Sequence, residues 1–248
     1  MIRAKPIRYA ILSDVHANLE ALTAVLDRLT VSGADAILCL GDVVGYGADP
    51  IPCVEKLAER GARLIAGNHE YGTTGRLDLG WFNPYARAAA LWTASVLDDA
   101  HREFLAGLPL VLEVEDATLV HGSPRNPEEW DYLITPEEGF DVFSAFATRL
   151  CFVGHSHHPR VWSVGSSGPE FDPEPGTVRV VAGRRYIVNV GSVGQPRDGD
   201  PRACYALWDV EAGRVALHRV EYDVAAAREK ILKAGLPRYL GDRLLDGR

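Results

Sequence analysis

The sequence predicts an α/β fold in which strands and helices alternate around a largely parallel sheet. Three observations favour this class: short apolar runs alternate with segments that are amphipathic at helical spacing, the connections are short, and each apolar run stops at polar residues. In such sheets ligands bind beyond the carboxyl ends of the strands. We therefore expect function at the polar residues that follow the strands.

The first part of the chain supplies strand, helix, strand, helix and strand in that order. The first strand is predicted over Ile7 to Leu12, and apolar positions from Leu19 to Leu29 share one helix face, with Asn18 as cap and Gly33 as stop. The next three elements are predicted as a strand over 36–40, a helix over 50–60 and a strand over 63–66.

The rest of the chain is less regular. Residues 71–108 are predicted to be helical but irregular, and the segment 165–176, rich in Gly, Pro and Ser, is interpreted as an excursion between strands. The other predicted elements are a hairpin over 111–115 and 118–120, a helix over 136–148, strands over 151–153 and 186–190, a hairpin over 205–210 and 215–222, and short helices over 224–246.

The composition is typical of a globular protein. Its 248 residues are 47% hydrophobic and 24% charged, which predicts one globular domain spanning residues 1–248. No apolar run approaches the roughly 18 residues of a membrane span and no signal-peptide core is present, so we expect a soluble, cytoplasmic protein with no membrane partner. The net charge of −8 argues against long nucleic acid as a partner. The four isolated cysteines predict reduced, buried thiols.

Five polar clusters follow five of the apolar runs. They are Asp14-Val15-His16, Gly41-Asp42, Gly67-Asn68-His69-Glu70, His121-Gly122 and Gly154-His155-Ser156-His157. Because residues two apart on an extended segment point the same way, Asp14 with His16 and His155 with His157 are expected to present paired ligands. The adjacent glycines permit close approach of the backbone.

These side chains form a ligand set of oxygen and nitrogen donors. Two carboxylates, four histidines and an asparagine amide suffice for two divalent cations, and the absence of sulfur favours Mn, Fe, Zn, Co or Ni. Two such ions about 3.5 to 4 Å apart form the clamp that hydrolyses phosphate esters. Two dications outweigh two aspartates, so the site favours an anionic substrate despite the acidic surface.

With these five clusters in order over residues 8 to about 160, the sequence resembles the calcineurin-like metallophosphoesterase family. The run from Tyr186 to Arg197 is similar to the small prokaryotic, phosphodiesterase-like branch of that family. The resemblance implies a four-layer α/β/β/α sandwich, in which two mixed β-sheets pack face to face and are flanked by helices.

The resemblance also implies roles for individual residues. Asp14, His16 and His157 would hold the first metal ion. Asn68, His121 and His155 would hold the second, and Asp42 would bridge the two. His69 would stabilise the transition state or protonate the leaving group, so catalysis is assigned to Asp42 and His69. The side chains expected to contact substrate are Asn68, His69 and Arg125.

The predicted function is a di-metal phosphoesterase that hydrolyses phosphodiesters or small phosphorylated compounds by in-line attack of a metal-bridging hydroxide. The alternatives are a phosphomonoesterase or phosphoprotein phosphatase, and a non-catalytic metal-binding scaffold of the same fold. The sequence leaves a homo-oligomer open, through the exposed edge of the second sheet.

Two weaker groups of residues could contact substrate. Arg125, Arg197 and Arg202 follow predicted strand ends, and Arg125 is favoured because it follows His121 closely. Four aromatic residues could line a leaving-group pocket, although packing of the helical segment is the favoured interpretation; they are Trp81, Phe82, Tyr85 and Trp92.

Overall fold

The structure, a computed structural model, describes residues 8–248. The strands in this part of the chain are β1 (Arg8–Leu12), β2 (Ala36–Cys39), β3 (Arg63–Leu64), β4 (Val111–Val114), β5 (Ala117–Val120), β6 (Leu150–Val153), β7 (Arg160–Gly165), β8 (Gly168–Asp172), β9 (Thr177–Arg179), β10 (Arg185–Asn189), β11 (Ala203–Asp209) and β12 (Arg214–Val220). The α-helices are α1 (Leu19–Ser32), α2 (Pro50–Glu59), α3 (Asn68–Thr73), α4 (Pro84–Val96), α5 (Asp99–Ala106), α6 (Pro136–Phe140), α7 (Val224–Lys233) and α8 (Arg238–Asp242). The predicted start of the first strand at Ile7 lies outside the described residues.

Over residues 8–248 the strands form two six-stranded sheets. The first has the order β3-β2-β1-β11-β12-β9, with β1, β2 and β3 parallel and the other strands antiparallel to their neighbours. The second has the order β4-β5-β6-β10-β7-β8, with β5, β6 and β10 parallel. Both sheets are mixed, as the family resemblance implied.

Apolar side chains fill the space between the layers. Ile11 and Trp208 of the first sheet meet Phe152 of the second in the core between the sheets. On the outer face of the first sheet, α1 packs Leu22 and Leu26 into a second core. A third core around Trp162 and Phe143 covers the outer face of the second sheet. The layers therefore follow the order α/β/β/α.

The helix α1 begins and ends where the sequence predicts. The Asn18 side chain accepts a hydrogen bond from the Ala21 N–H at 3.1 Å, and Gly33 closes the helix with a φ of 72°. The amide of Asn18 also donates to the Gly194 carbonyl at 2.8 Å. The cap thus ties α1 to the loop after β10.

Two predicted elements differ in the structure. The helix predicted over 136–148 ends at Phe140 and is followed by a 3₁₀ turn over Phe143–Ala145, and the Arg185 guanidinium binds the carbonyls of Phe143, Phe146 and Thr148. The segment 165–176 contains β8, which pairs with β7 across a two-residue turn. Gly168 has a φ of 96° there. Because serine and glycine are typical of turns, the residues of this turn made the whole segment resemble a loop, and the strand was not predicted.

None of the helices between residues 8 and 248 combines the length and the apolar character that crossing a membrane requires.

We predict that the thiols are inert in the folded protein. Cys39, Cys53, Cys151 and Cys204 are buried and unpaired, and burial raises the pKa of each, that of Cys204 to about 12. Titration with a disulfide reagent at pH 8 should give no reaction in buffer and four equivalents in denaturant. A Ser166→Cys variant, exposed in the β7–β8 turn, is the control and should react at once. Rapid reaction of the unaltered protein would contradict this assignment.

Candidate active site

Loops after the parallel strands of both sheets converge at one edge of the sandwich. Asp14 and His16 follow β1, and Asp42 follows β2. Asn68 and His69 open α3 directly after the β3 segment. The second sheet contributes His121 after β5, and His155 and His157 after β6. The parallel strands that precede the predicted clusters thus bring the polar residues to the same edge of the sandwich.

Within residues 8–248, the carboxylates and imidazoles form overlapping groups whose ligand atoms lie within 4.8 Å of one another: Asp14, His16 and His157; Asp42, His121 and His155; and His16, Asp42 and His69. His157 Nε2 lies 3.2 Å from Asp14 Oδ1, and His121 Nε2 lies 3.2 Å from Asp42 Oδ2. Asn68 lines the same cavity as His69 and His155. The structure therefore brings together the predicted ligands.

Backbone carbonyls orient three of the imidazoles. The Nδ1 atoms of His16, His121 and His157 lie 3.2, 2.8 and 2.5 Å from the carbonyl oxygens of Val44, Leu40 and Gln195. A carbonyl accepts only, so each Nδ1 carries a proton, and in the neutral ring each Nε2 presents a lone pair. The Nε2 lone pairs of His16 and His157 then face each other at 3.1 Å, an arrangement that a cation stabilises.

The oxygen ligands point to the same conclusion. Asp14 Oδ1 and Asn68 Oδ1 are buried, and neither has a hydrogen-bond partner in the described part of the chain. Buried polar atoms without partners are costly, whereas both atoms are good ligands for a divalent ion. The residues present therefore fit metal ions.

The electrostatics of the cluster also suit cations. Burial raises the pKa of the Asp14 and Asp42 carboxyls, but the surrounding histidines outweigh it and hold both pKa values well below the usual range. Burial lowers the pKa of His155 to about 3 and that of His69 to about 4, because desolvation disfavours the imidazolium. Burial also lowers the pKa of His121, but the Asp42 and Asp14 carboxylates outweigh it and raise that pKa to about 9. Metal binding therefore releases a proton from His121, whereas the carboxylates are already ionised and His155 is already neutral.

The ligand-bearing backbone is not extended, contrary to the expectation that pairs two residues apart would point the same way. Residues in the left-handed region, with φ from 49° to 62°, include Asp14, His16, Asp42, His155 and His157. This conformation costs a non-glycine residue about 1 kcal/mol or more. Left-handed turns, rather than strand alternation, therefore aim these side chains inward.

A close approach of glycines lets the loops interlock. A Cβ on Gly154 would lie 1.9 Å from Ser13 Oγ, and one on Gly67 would lie 2.1 Å from Asp42 Oδ1. Across the same contact, His155 N–H donates to Asp14 Oδ2 at 3.0 Å. Loops of the two sheets are thereby fixed against each other, as the glycine pattern predicted.

Glu70 links the loop after β2 to the start of α3. Its buried carboxylate accepts hydrogen bonds from the backbone N–H groups of Asp42, Val43 and Val44 at 2.7, 2.8 and 3.1 Å, and from Gly67 at 2.7 Å. Glu70 had no predicted role. An acidic residue in the first turn of α3, three positions after Gly67, was the available signal.

His69 lies against the cluster on the side of the aromatic residues. Its N–H donates to Asp42 Oδ1 at 2.9 Å, and its ring centre lies 4.5 Å from that of Tyr46 and 5.0 Å from that of Phe82. His69 Nδ1 is buried without a partner among residues 8–248.

The three candidate arginines have different surroundings. Arg125 is exposed and donates to the Asp141 carbonyl, so its contact with substrate stays a prediction. Arg202 pairs with Asp200 at 2.6 Å. Arg197 lies beside the cluster, since its Nη2 is 3.4 Å from the hydroxyl of Tyr46, a ring that contacts His16.

The aromatic residues of the irregular helical segment do not all pack inside. Trp92 is partly buried in a small core with α7 and α8, as predicted. Trp81 is 84% exposed and Tyr85 is 45% exposed, so the packing interpretation is wrong for these two. Phe82 contacts His69.

An α/β/β/α sandwich with aspartates, histidines and an asparagine gathered at the strand ends is the framework of a metal-dependent phosphoesterase. Residues 7–213 match the model of the calcineurin-like phosphoesterase superfamily domain, and the chain belongs to this family.

Relatives extend the match over nearly the whole chain. The uncharacterized protein MJ0912 of Methanocaldococcus jannaschii is 42% identical over 243 residues, covering 96% of this chain and 98% of that protein. The crystal structure of a metallophosphoesterase from Sphaerobacter thermophilus is 43% identical, with a TM-score of 0.85 and coverage of 98% of this chain and 100% of that one. The hypothetical protein PH1004 of Pyrococcus horikoshii shares the fold, with a TM-score of 0.78 at 23% identity, over 97% and 98% of the two chains.

We predict that Glu70→Gln loosens the site and the fold together. The amide retains one acceptor but turns N–H groups toward backbone donors, so the free energy of unfolding should fall by about 3 kcal/mol. Urea unfolding measures this loss, and metal content after dialysis should fall as well. Glu55→Gln, an exposed helical position, is the matched control and should change neither quantity. Unaltered stability of Glu70→Gln would refute the bridging role.

Proposed function

We propose that the protein is a di-metal phosphoesterase that hydrolyses phosphodiesters or small phosphorylated compounds. The observation that carries the proposal is the pair of ligand groups, Asp14, His16 and His157 on one side and Asp42, His121 and His155 on the other, with the Asp42 carboxylate also near His16 Nε2 at 3.7 Å. In this proposal the first group would hold one ion, the second group with Asn68 would hold the other, and Asp42 would be shared between them. Two bound ions supply an activated water at neutral pH and charge stabilisation for in-line attack on phosphorus.

We assign His69 to the reacting phosphate rather than to metal. Its low pKa keeps the imidazole neutral at pH 7, so it acts as a hydrogen-bond donor to charge that develops in the transition state. The Asp42 carboxylate, which accepts the His69 N–H, fixes the backbone that presents this ring. The ring contacts with Tyr46 and Phe82 restrict its orientation.

The complete ligand set favours an enzyme over a non-catalytic scaffold. Buried, mutually close carboxylates and imidazoles are expensive to keep without a cation. The proposal that diesters are preferred over monoesters or phosphoproteins rests on the branch of the family that the sequence resembles. Rates measured on both kinds of ester test it directly.

We predict that hydrolytic activity depends on bound metal. Chelator-stripped protein should hydrolyse bis(p-nitrophenyl) phosphate and p-nitrophenyl phosphate only after Mn, Ni, Co, Zn or Mg is added back, and the diester should be the better substrate. Asp42→Asn keeps the side-chain size but removes the charge, so turnover should fall at least about 100-fold with loss of bound metal.

The control for this substitution is Asp116→Asn, an exposed position on the β4–β5 turn, which should keep full activity. Two ions bound per chain with no turnover on either ester would instead favour the scaffold. A larger rate on the monoester would favour a phosphomonoesterase.

A separate prediction concerns His69. In His69→Asn, kcat should fall about 100-fold or more because the shorter amide cannot place a donor where the far side of the imidazole lies, while bound metal measured by elemental analysis stays as in the unaltered protein. His101→Asn, a histidine outside the cluster, is the control. Loss of one ion from His69→Asn would show that His69 is a ligand, which the group of His16, Asp42 and His69 also permits geometrically.

A further inference from the structure

A cavity of about 560 Å³ opens directly beside the candidate centre. Two segments wall it: Trp81 and Phe82 on the turn before α4, and Trp130 and Tyr132 on the loop before α6. Glu128 and Glu129 also line it, and we call the cavity the aromatic cleft. Its inner end reaches His69 and His155, so a molecule bound in it also touches the proposed reaction site. The volume falls in the range of small-molecule sites, roughly 300 to 1,000 Å³.

The walls of the aromatic cleft present ring faces. Tyr132 stacks on His155 with ring centres 4.0 Å apart and planes 14° apart, yet 47% of its surface stays exposed. Trp81 is 84% exposed although it is the largest apolar side chain type. Exposed aromatic faces at the mouth of a cavity suit a planar ligand that stacks on them.

Trp130 supplies an unused hydrogen-bond donor. It is only 8% exposed, and its buried indole Nε1–H has no acceptor among the residues that the structure describes. The residue has a φ of 58°, an unfavourable conformation for a bulky side chain, and is held between Tyr71 and His121 by edge-to-face ring contacts. Trp130 lines the aromatic cleft, so an acceptor on a ligand would satisfy this donor once the indole turns its Nε1–H into the cleft.

The lining of the aromatic cleft combines groups of opposite charge. It adjoins the centre that would hold dications, and it also includes the exposed carboxylates of Glu128 and Glu129, of which Glu129 accepts a hydrogen bond from Asn126 at 3.2 Å. An anionic group is repelled there, and amino or imino hydrogens are attracted. The complementary ligand therefore has a phosphate at one end and, at the other, a flat ring with both donors and acceptors.

We infer that the aromatic cleft binds the amino-bearing nucleobase of a nucleoside phosphate ester whose phosphate lies at the proposed centre. The base face stacks on the aromatic wall, a ring nitrogen or carbonyl accepts from Trp130, and the amino group donates to the glutamates. A quaternary ammonium group would match the rings and carboxylates but leaves the indole donor unused. This inference rests on the proposed function and specifies its substrate class.

The test compares substrates that differ only in the base. Metal-loaded protein is assayed with AMP against ribose 5-phosphate, and with the p-nitrophenyl ester of AMP against the same ester of ribose 5-phosphate. Stacking and hydrogen bonding should raise kcat/KM at least about tenfold for the base-bearing member of whichever pair is hydrolysed.

Variants locate the effect in the cleft. Trp81→Ala should reduce the preference for the base-bearing substrate toward unity and leave hydrolysis of the ribose compound unchanged. Trp130→Phe retains a ring and removes the donor, so it should lower kcat/KM for the nucleotide about tenfold and spare the ribose compound. Leu91→Ala, an exposed apolar residue of α4 outside the cleft, is the control and should change neither rate.

The outcomes separate this inference from the proposed function. Equal hydrolysis of both members of a pair leaves the phosphoesterase intact and overturns the base site. Preference for glycerophosphocholine over the nucleotide identifies an ammonium site and overturns it as well. If no ester is hydrolysed, the proposed function fails, and titration of metal-loaded protein with adenosine decides the cleft: saturable quenching of tryptophan fluorescence that Trp81→Ala removes supports it, and absence of quenching overturns it.

Discussion

The arrangement of the whole site depends on one buried carboxylate that is not among the predicted ligands. Glu70 collects the backbone N–H groups of the loop after β2 and of Gly67, so it sets the distance between the Asp42 loop and the start of α3. Asn68 and His69 follow directly from that helix start. Burial and the nearby Asp42 carboxylate raise the pKa of Glu70 to about 7, which shows how unfavourable another negative charge is here. The backbone donors offset part of this cost.

Across the whole cluster, unfavourable local features are likewise offset by the surrounding structure. Asp14 and Asp42 are buried as carboxylates, the imidazole lone pairs converge, and several ligand-bearing residues adopt left-handed backbone conformations. Each of these features raises the free energy of the metal-free fold. They are tolerated because the cores on both faces of the first sheet hold the strand ends in place. The packing of the scaffold thus offsets the free-energy cost of a site that is prearranged to bind cations.

Much of this was visible in the sequence. The polar clusters appeared because apolar runs stop abruptly at Asp14, Asp42 and His155, and the topology of parallel strands brings such ends together. The left-handed turns were not visible, because nothing in an Asp-x-His pattern distinguishes a turn from an extended segment. Trp130 gave no signal, since an aromatic residue in a polar loop is ordinary until its unsatisfied indole is seen in place. The strand β8 was hidden by serine and glycine in its turn.

Both sheets contribute ligands, and His16 and His157, whose Nε2 atoms are 3.1 Å apart, lie 141 positions apart in the chain. No disulfide links the layers, since all four cysteines are free. An ion held by both residues closes a very long loop, and such a cross-link removes conformational freedom chiefly from the unfolded chain. The proposed metals would therefore act as a reversible staple between the sheets, so that the resistance of this protein to unfolding and to proteolysis depends on the supply of divalent ions in its surroundings.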